Sequence, residues 1–127
     1  MSHARWYSLA LLIVASLTVG AGADAADIEA GKRLYNQCKA CHELEAGKNK
    51  LGPSLAGIFG RKAGAIEEFK QYSEALKTSG VVWDDEAIDK YLADPRGFIK
   101  GNRMAFPGLK RPEDRANVIA YIKEATK

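Results

Sequence analysis

The 127-residue sequence predicts an all-α fold of about four to five short helices joined by Gly-rich loops. Three observations carry that expectation. Apolar residues recur at the 3.6-residue spacing of helices, and no run of β-branched residues reads as a strand. Pro and Gly stand between the periodic segments, where they open and close helices. From Glu43 to Gly64 the glycines Gly47, Gly52, Gly57, Gly60 and Gly64 recur too often for a helix. A loop that long is out of place in a compact domain unless it wraps something.

Met1 to about Ala25 has the three parts of a secretory signal: Arg5, an apolar core from Leu9 to Val19, and small residues after it. Two Ala-x-Ala sites compete, Ala21-Gly22-Ala23 and Ala23-Asp24-Ala25, and the second is preferred. It leaves residues 26–127 as one domain. Retention as a membrane anchor is the rival, but Tyr7 to Ala23 falls short of the roughly 20 apolar residues a span takes. Cleavage removes one cation, Arg5, and one anion, Asp24, so the formal charge stays at +3. That balance is too slight to point to nucleic acid.

Asp27 is a plausible N-cap for a first helix through Gln37, with Glu29 in its first turn. Ile28, Leu34, Tyr35 and Cys38 share one face. Gly31 lies on that face too, at a cost of about 1 kcal/mol relative to Ala, which a close approach by another element would explain. Tyr72 to Ser79 forms a short helix closed by Gly80. Asp84 caps the next, through about Ala93, with Ala87, Ile88, Tyr91 and Leu92 on one face. Asp94-Pro95 interrupts it and Pro95 opens a short turn through Lys100, followed by a loop from Gly101 to Leu109. Pro112 stands in the first turn of the last helix, ahead of Glu113 and Asp114. Its expected buried stripe is Val118, Tyr121, Ile122 and Ala125.

Both cysteines fall in Cys38-Lys39-Ala40-Cys41-His42. A C-x-x-C-H run reads as covalent attachment of c-type haem: two thiols add to the haem vinyl groups, and the next imidazole becomes an axial iron ligand. Three rivals are weaker. A disulfide across so short a loop stabilises little. A redox CxxC expects a βαβ setting, which is missing here. Structural zinc takes four ligands, and a carboxylate would have to complete the set. The haem iron then needs a sixth ligand or keeps an open position. Beyond the signal there is no other histidine and one methionine, Met104, in the polar, Gly-bounded loop Gly101 to Gly108. Its thioether is a soft ligand that favours ferrous iron. Core filling is the plainer role for a lone methionine, but this one is on no helical stripe. A chain of about 100 residues buries a limited core, so the porphyrin is expected to complete it and the haem-free chain to fold poorly.

From about Asp27 to Lys127 the chain resembles class I cytochrome c, above all bacterial cytochrome c2 and its mitochondrial relatives. The matching segments are Gly31 with Tyr35, Cys38 to His42, Gly52-Pro53-Ser54-Leu55-Ala56-Gly57-Ile58-Phe59-Gly60-Arg61-Lys62, Trp83, Tyr91-Leu92, Pro95, Met104 to Gly108, and Ala120-Tyr121-Ile122. The resemblance implies the cytochrome c fold wrapped around one haem c, with His42 and Met104 as axial ligands. It implies that the Pro53 carbonyl accepts from the distal nitrogen of His42, and that Tyr91 reaches the Met104 sulfur. Trp83 and Arg61 would approach a buried propionate, with Tyr72 and Asn102 as further partners. Trp83 and Tyr91 have simple core packing as an alternative. Gly31 would let the first helix cross the last against Tyr121. Asn102 and Arg103 replace the threonine and lysine common before the methionine, Lys100 stands where proline is frequent, and one extra residue lies between Phe69 and Tyr72.

The function so implied is a soluble periplasmic carrier of single electrons, not an enzyme and a monomer. Lys48, Lys50, Arg96, Lys100, Arg103, Lys110 and Arg111 fall in segments that the resemblance places around the haem edge, where they would steer the molecule to acidic partner surfaces. The family implies a bc1-type complex on one side and a terminal oxidase or photosynthetic reaction centre on the other. Two alternatives stay open. One is a carrier tethered by an uncleaved N-terminal segment. The other is a haem protein with a labile methionine ligand, acting as a peroxidase or small-ligand sensor.

Overall fold

Asp and Ser side chains open four of the five helices in the computed structural model, which describes residues 25–127. Each accepts from a backbone amide that the first turn would leave unpaired. The helices are α1 (Ile28–Tyr35), α2 (Glu74–Lys77), α3 (Asp85–Ala93), α4 (Pro95–Phe98) and α5 (Pro112–Ala125). α5 instead begins with Pro112, whose missing N–H costs nothing at that position. Pairing between extended segments among the described residues is limited to two isolated antiparallel bridges, His42 with Asn49 and Lys62 with Val82. The expected signal segment lies outside the described residues, apart from Ala25.

Two elements are shorter than their sequence spacing suggests. α1 stops at Tyr35, and residues 36–40 continue as turns. The Cys41 and His42 amides both donate to the Cys38 carbonyl, at 3.0 and 2.9 Å, so the motif forms its own tight turn. α2 begins only at Glu74, because the Ser73 side chain takes the Leu76 amide at 3.1 Å.

The crossing of α1 over α5 explains the mid-helix glycine. A Cβ on Gly31 would sit 2.0 Å from the Asn117 carbonyl oxygen and 2.8 Å from the Tyr121 Cβ. The Asp27 amide donates to Asn117 Oδ1 at 2.8 Å, pinning the start of α1 to the same place. Tyr35 and Tyr121 then meet with ring centroids 5.5 Å apart.

α5 buries a wider face than the expected stripe, since it packs against α1 on one side and α3 on the other. Val118 and Ile122 join Tyr35 in one cluster. Ile119, absent from the expected stripe, joins Ala63, Trp83, Ile88, Tyr91 and Ile99 in the other. Ala125 is exposed, because the helix has run past its neighbours by then. Arg115 locks this arrangement: its Nε donates to Asp89 Oδ1 at 2.7 Å and its Nη1 to the carbonyls of Leu109 and Lys110. The end of the Met104 loop is thereby braced against α3 and α5.

Candidate haem attachment site

The turn after α1 presents Cys38 and Cys41 half-buried and unbridged. Burial, with Cys41 adding to it, pushes the Cys38 thiol up to about 11. Reactive CxxC thiols are shifted the other way, so Cys38 lacks the activated thiol of a redox motif. Among the described residues no cluster of three or more His, Cys, Asp or Glu side chains is placed to hold a metal ion such as structural zinc.

His42 follows directly, and its ring is held from several sides. Nδ1 lies 2.7 Å from the Pro53 carbonyl oxygen. A carbonyl can only accept, so Nδ1 carries the hydrogen and Nε2 keeps the lone pair that a metal needs. Burial lowers the pKa of His42 below the usual imidazole value; the Pro53 bond opposes this and the Arg61 charge adds to it. The neutral, ligating form is therefore favoured. Gly52 is what lets the ring lie so close to this loop, since a Cβ there would meet His42 Cε1 at 2.3 Å. The Tyr35 hydroxyl donates to the His42 carbonyl at 3.0 Å, and burial is the main cause holding that phenol at about 12. The roles of Tyr35 and Gly52 at the histidine go beyond the sequence reading. The Gly52-Pro53 pair was its only local signal for one; the other was hidden in an apolar stripe.

Met104 sits in the segment after α4, half-buried and packed against the cluster that contains Trp83 and Tyr91. Trp83 is held just before α3: its amide donates to the Arg61 carbonyl at 2.9 Å, and its carbonyl accepts from Gly60. Its ring centroid lies 5.0 Å from that of Tyr91. The Tyr91 hydroxyl donates to Asn102 Oδ1 at 3.3 Å, where a bond to the Met104 sulfur was expected. The amide side chain is the better acceptor, because a thioether accepts weakly. Arg61 reaches backbone instead of open space, with Nη1 on the Ala56 carbonyl at 2.9 Å and Nη2 on the Ser54 carbonyl at 2.8 Å. Tyr72 packs edge-on against Phe69 at 4.7 Å.

The seven exposed cations assigned to the haem edge divide into two sets. Lys48 pairs with Glu45 at 2.5 Å, Lys50 with Glu43 at 2.6 Å, and Arg111 with Glu113. Lys110 donates to the Ala93 carbonyl at 3.3 Å. Among the described residues, Arg96, Lys100, Arg103 and Lys110 have no carboxylate partner within ion-pair distance, and all lie within eight residues of Met104 in the sequence.

Two thiols held unbridged beside an imidazole with its Nε2 uncommitted fit a covalently attached haem. The comparisons with known proteins agree. A family model described as Cytochrome c matches residues 28–126. Cytochrome c2 iso-2 of Magnetospirillum fulvum is 57% identical over 89 residues, covering 70% of this chain and 92% of its own length. Cytochrome c-550 of Nitrobacter winogradskyi is 43% identical over 102 residues, with 80% and 93% covered. Among solved structures, cytochrome cH from Methylobacterium extorquens matches with a TM-score of 0.72 and 41% identity, over 78% of this chain and 99% of that one. The chain therefore belongs to the cytochrome c family: it is a class I c-type cytochrome, an electron-transfer protein rather than an enzyme, and it carries covalent haem c.

Proposed function

We propose that the protein is an exported, soluble carrier of single electrons whose haem iron is ligated by His42 and Met104. The observation that carries this reading is the 2.7 Å bond from His42 Nδ1 to the Pro53 carbonyl, which leaves Nε2 with an uncommitted lone pair. Met104, the one methionine among the described residues, supplies the second ligand from its half-buried loop. Bound haem supplies a one-electron Fe(III)/Fe(II) couple. The chain's residues do the rest. Pro53 and Gly52 fix the imidazole, the Met104 thioether favours the reduced state, and Trp83 and Tyr91 keep water away from the loop. An iron held by both His42 and Met104 would leave no place for a substrate and little to rearrange on electron transfer.

Export rests on the segment Met1 to Ala25, with Cys38 and Cys41 joined to haem beyond the membrane. No helix among the described residues is long and apolar enough to cross a membrane. A reduced-minus-oxidised spectrum of the periplasmic fraction, together with intact mass, tests both points. The expected mass is that of residues 26–127 plus one haem. A mass retaining residues 1–25 would instead support a tethered carrier.

Docking is electrostatic in this reading, through acidic surfaces on a bc1-type complex and on a terminal oxidase or reaction centre. Contacts of this kind are small and transient, and charge acts mainly on their association rate. Lys48, Lys50 and Arg111 already have carboxylate partners, so they add less field than the unpaired set. Reversing Arg96, Lys100 and Arg103 together to Glu is expected to slow association at low salt by about ten-fold or more, with the difference closing at high salt. Reversing Lys48 and Lys50 is expected to do less. Stopped-flow reduction of an acidic partner checks both, and rates indifferent to charge and salt would end the steering account.

A further inference from the structure

The side-chain amide of Asn102 is fully occupied. Its Nδ2 donates to the carbonyls of Pro95 at 2.7 Å and Ile99 at 2.8 Å. Its Oδ1 accepts from the Met104 amide at 3.0 Å and from the Tyr91 hydroxyl at 3.3 Å. Two donors and two acceptor sites are all that such an amide has. The four bonds join the last turn of α3, both ends of α4 and the loop that bears Met104, so no part of the amide is left to serve a propionate.

The segment from 102 to 108 has no helix or strand to hold it, yet its side chains alternate strictly. Asn102, Met104 and Phe106 are half-buried, while Arg103, Ala105 and Pro107 are exposed. The segment is bent once, at Ala105, where the Phe106 amide donates to the Met104 carbonyl at 3.0 Å, and with such alternation a shift of one residue would turn each side chain to the opposite face. The segment's far end is tied by the Leu109 amide to the Leu92 carbonyl at 2.7 Å. Its near end is tied by Asn102.

We propose that Asn102 is the positioning residue for Met104: it sets the register that turns the thioether inward, and so governs how firmly the sixth iron position is closed. This deepens the proposed function and rests on Met104 being the ligand. Where threonine is common in relatives, the longer side chain here spans to α4 as well as to Tyr91.

The test is imidazole binding to the ferric holoprotein, read beside the methionine-to-iron charge-transfer band. An added ligand can enter only when the loop opens, so its apparent affinity follows the open fraction. Asn102→Ala leaves the Met104 amide and the Tyr91 hydroxyl without their partner, while the Pro95 and Ile99 carbonyls keep the backbone amides of Ile99 and Asn102. It is expected to tighten imidazole binding at least ten-fold and to weaken the band. Asn102→Ser keeps an acceptor for the Met104 amide in the same local turn and is expected to lie between the two. Tyr91→Phe removes one of the four bonds and should move affinity least. Asp84→Ala, which deletes the α3 cap and no side-chain bond to residues 102–108, lowers thermal stability without changing imidazole affinity. A wild-type band with unchanged affinity in Asn102→Ala overturns the role of Asn102 and leaves methionine ligation standing. A wild-type protein without the band overturns the ligation itself. Should Asn102→Ala yield no holoprotein, Asn102→Ser carries the test, and wild-type affinity in that variant overturns the proposal.

Discussion

Met104→Ala is expected to convert the ferric protein from low-spin to high-spin and to lower its reduction potential sharply. The thioether is a soft ligand that stabilises Fe(II) over Fe(III), and axial ligands set haem potentials over a range of roughly 0.8 V. No second histidine or methionine is available among the described residues to take its place. Lys100 and Lys110, which flank the loop, are the nearest replacements by sequence, and a nitrogen ligand would also depress the potential. Potentiometric titration checks the shift, and the ferric spectrum checks the spin state. A potential and spectrum equal to wild type would mean that Met104 packs and does not ligate.

Gly31→Ala is expected to destabilise the holoprotein strongly, although alanine is the better helix former by about 1 kcal/mol. The added Cβ would meet the Asn117 carbonyl oxygen at 2.0 Å, and neither backbone can step aside without parting the helices. Overpacking of this sort costs about 1–3 kcal/mol or more, and here it opposes the best-packed helix pair in the fold. For a domain of this size a loss of about 2 kcal/mol lowers the melting temperature by roughly 8–16 °C. α1 also carries Tyr35, whose hydroxyl holds the His42 carbonyl, so looser packing should reach the site. Thermal unfolding of the holoprotein reads the effect. A variant as stable as wild type, or more so, would show that helix propensity outweighs the crossing.

Much of this fold can be read in the sequence because its signals are local. Asp27, Asp84 and Pro112 mark helix starts within one residue, since capping depends on chain neighbours alone. Gly31 stood out because a glycine in mid-helix needs a reason, and the Asn117 carbonyl is that reason. The haem motif is local too. What escaped depends on which groups the fold brings together. Tyr35 belongs by spacing to an apolar stripe, but its polar tip crosses to His42, as buried tyrosines tend to do. Ile119 was missed because α5 faces two partners and a single stripe covers only one. Lys50 reaches Glu43 across the turn of a loop, a pairing that no helical spacing announces. Asn102 reads from the sequence as a replacement for a common threonine and a propionate partner, whereas its four actual partners span residues 91 to 104.

The ferric absorption spectrum of the purified, haem-loaded protein tests His42 and Met104 ligation most directly. Low-spin iron with a methionine-to-iron charge-transfer band, unresponsive to carbon monoxide after reduction, is the expected result. High-spin iron without that band, binding carbon monoxide at once when reduced, would contradict it and favour a ligand sensor or peroxidase.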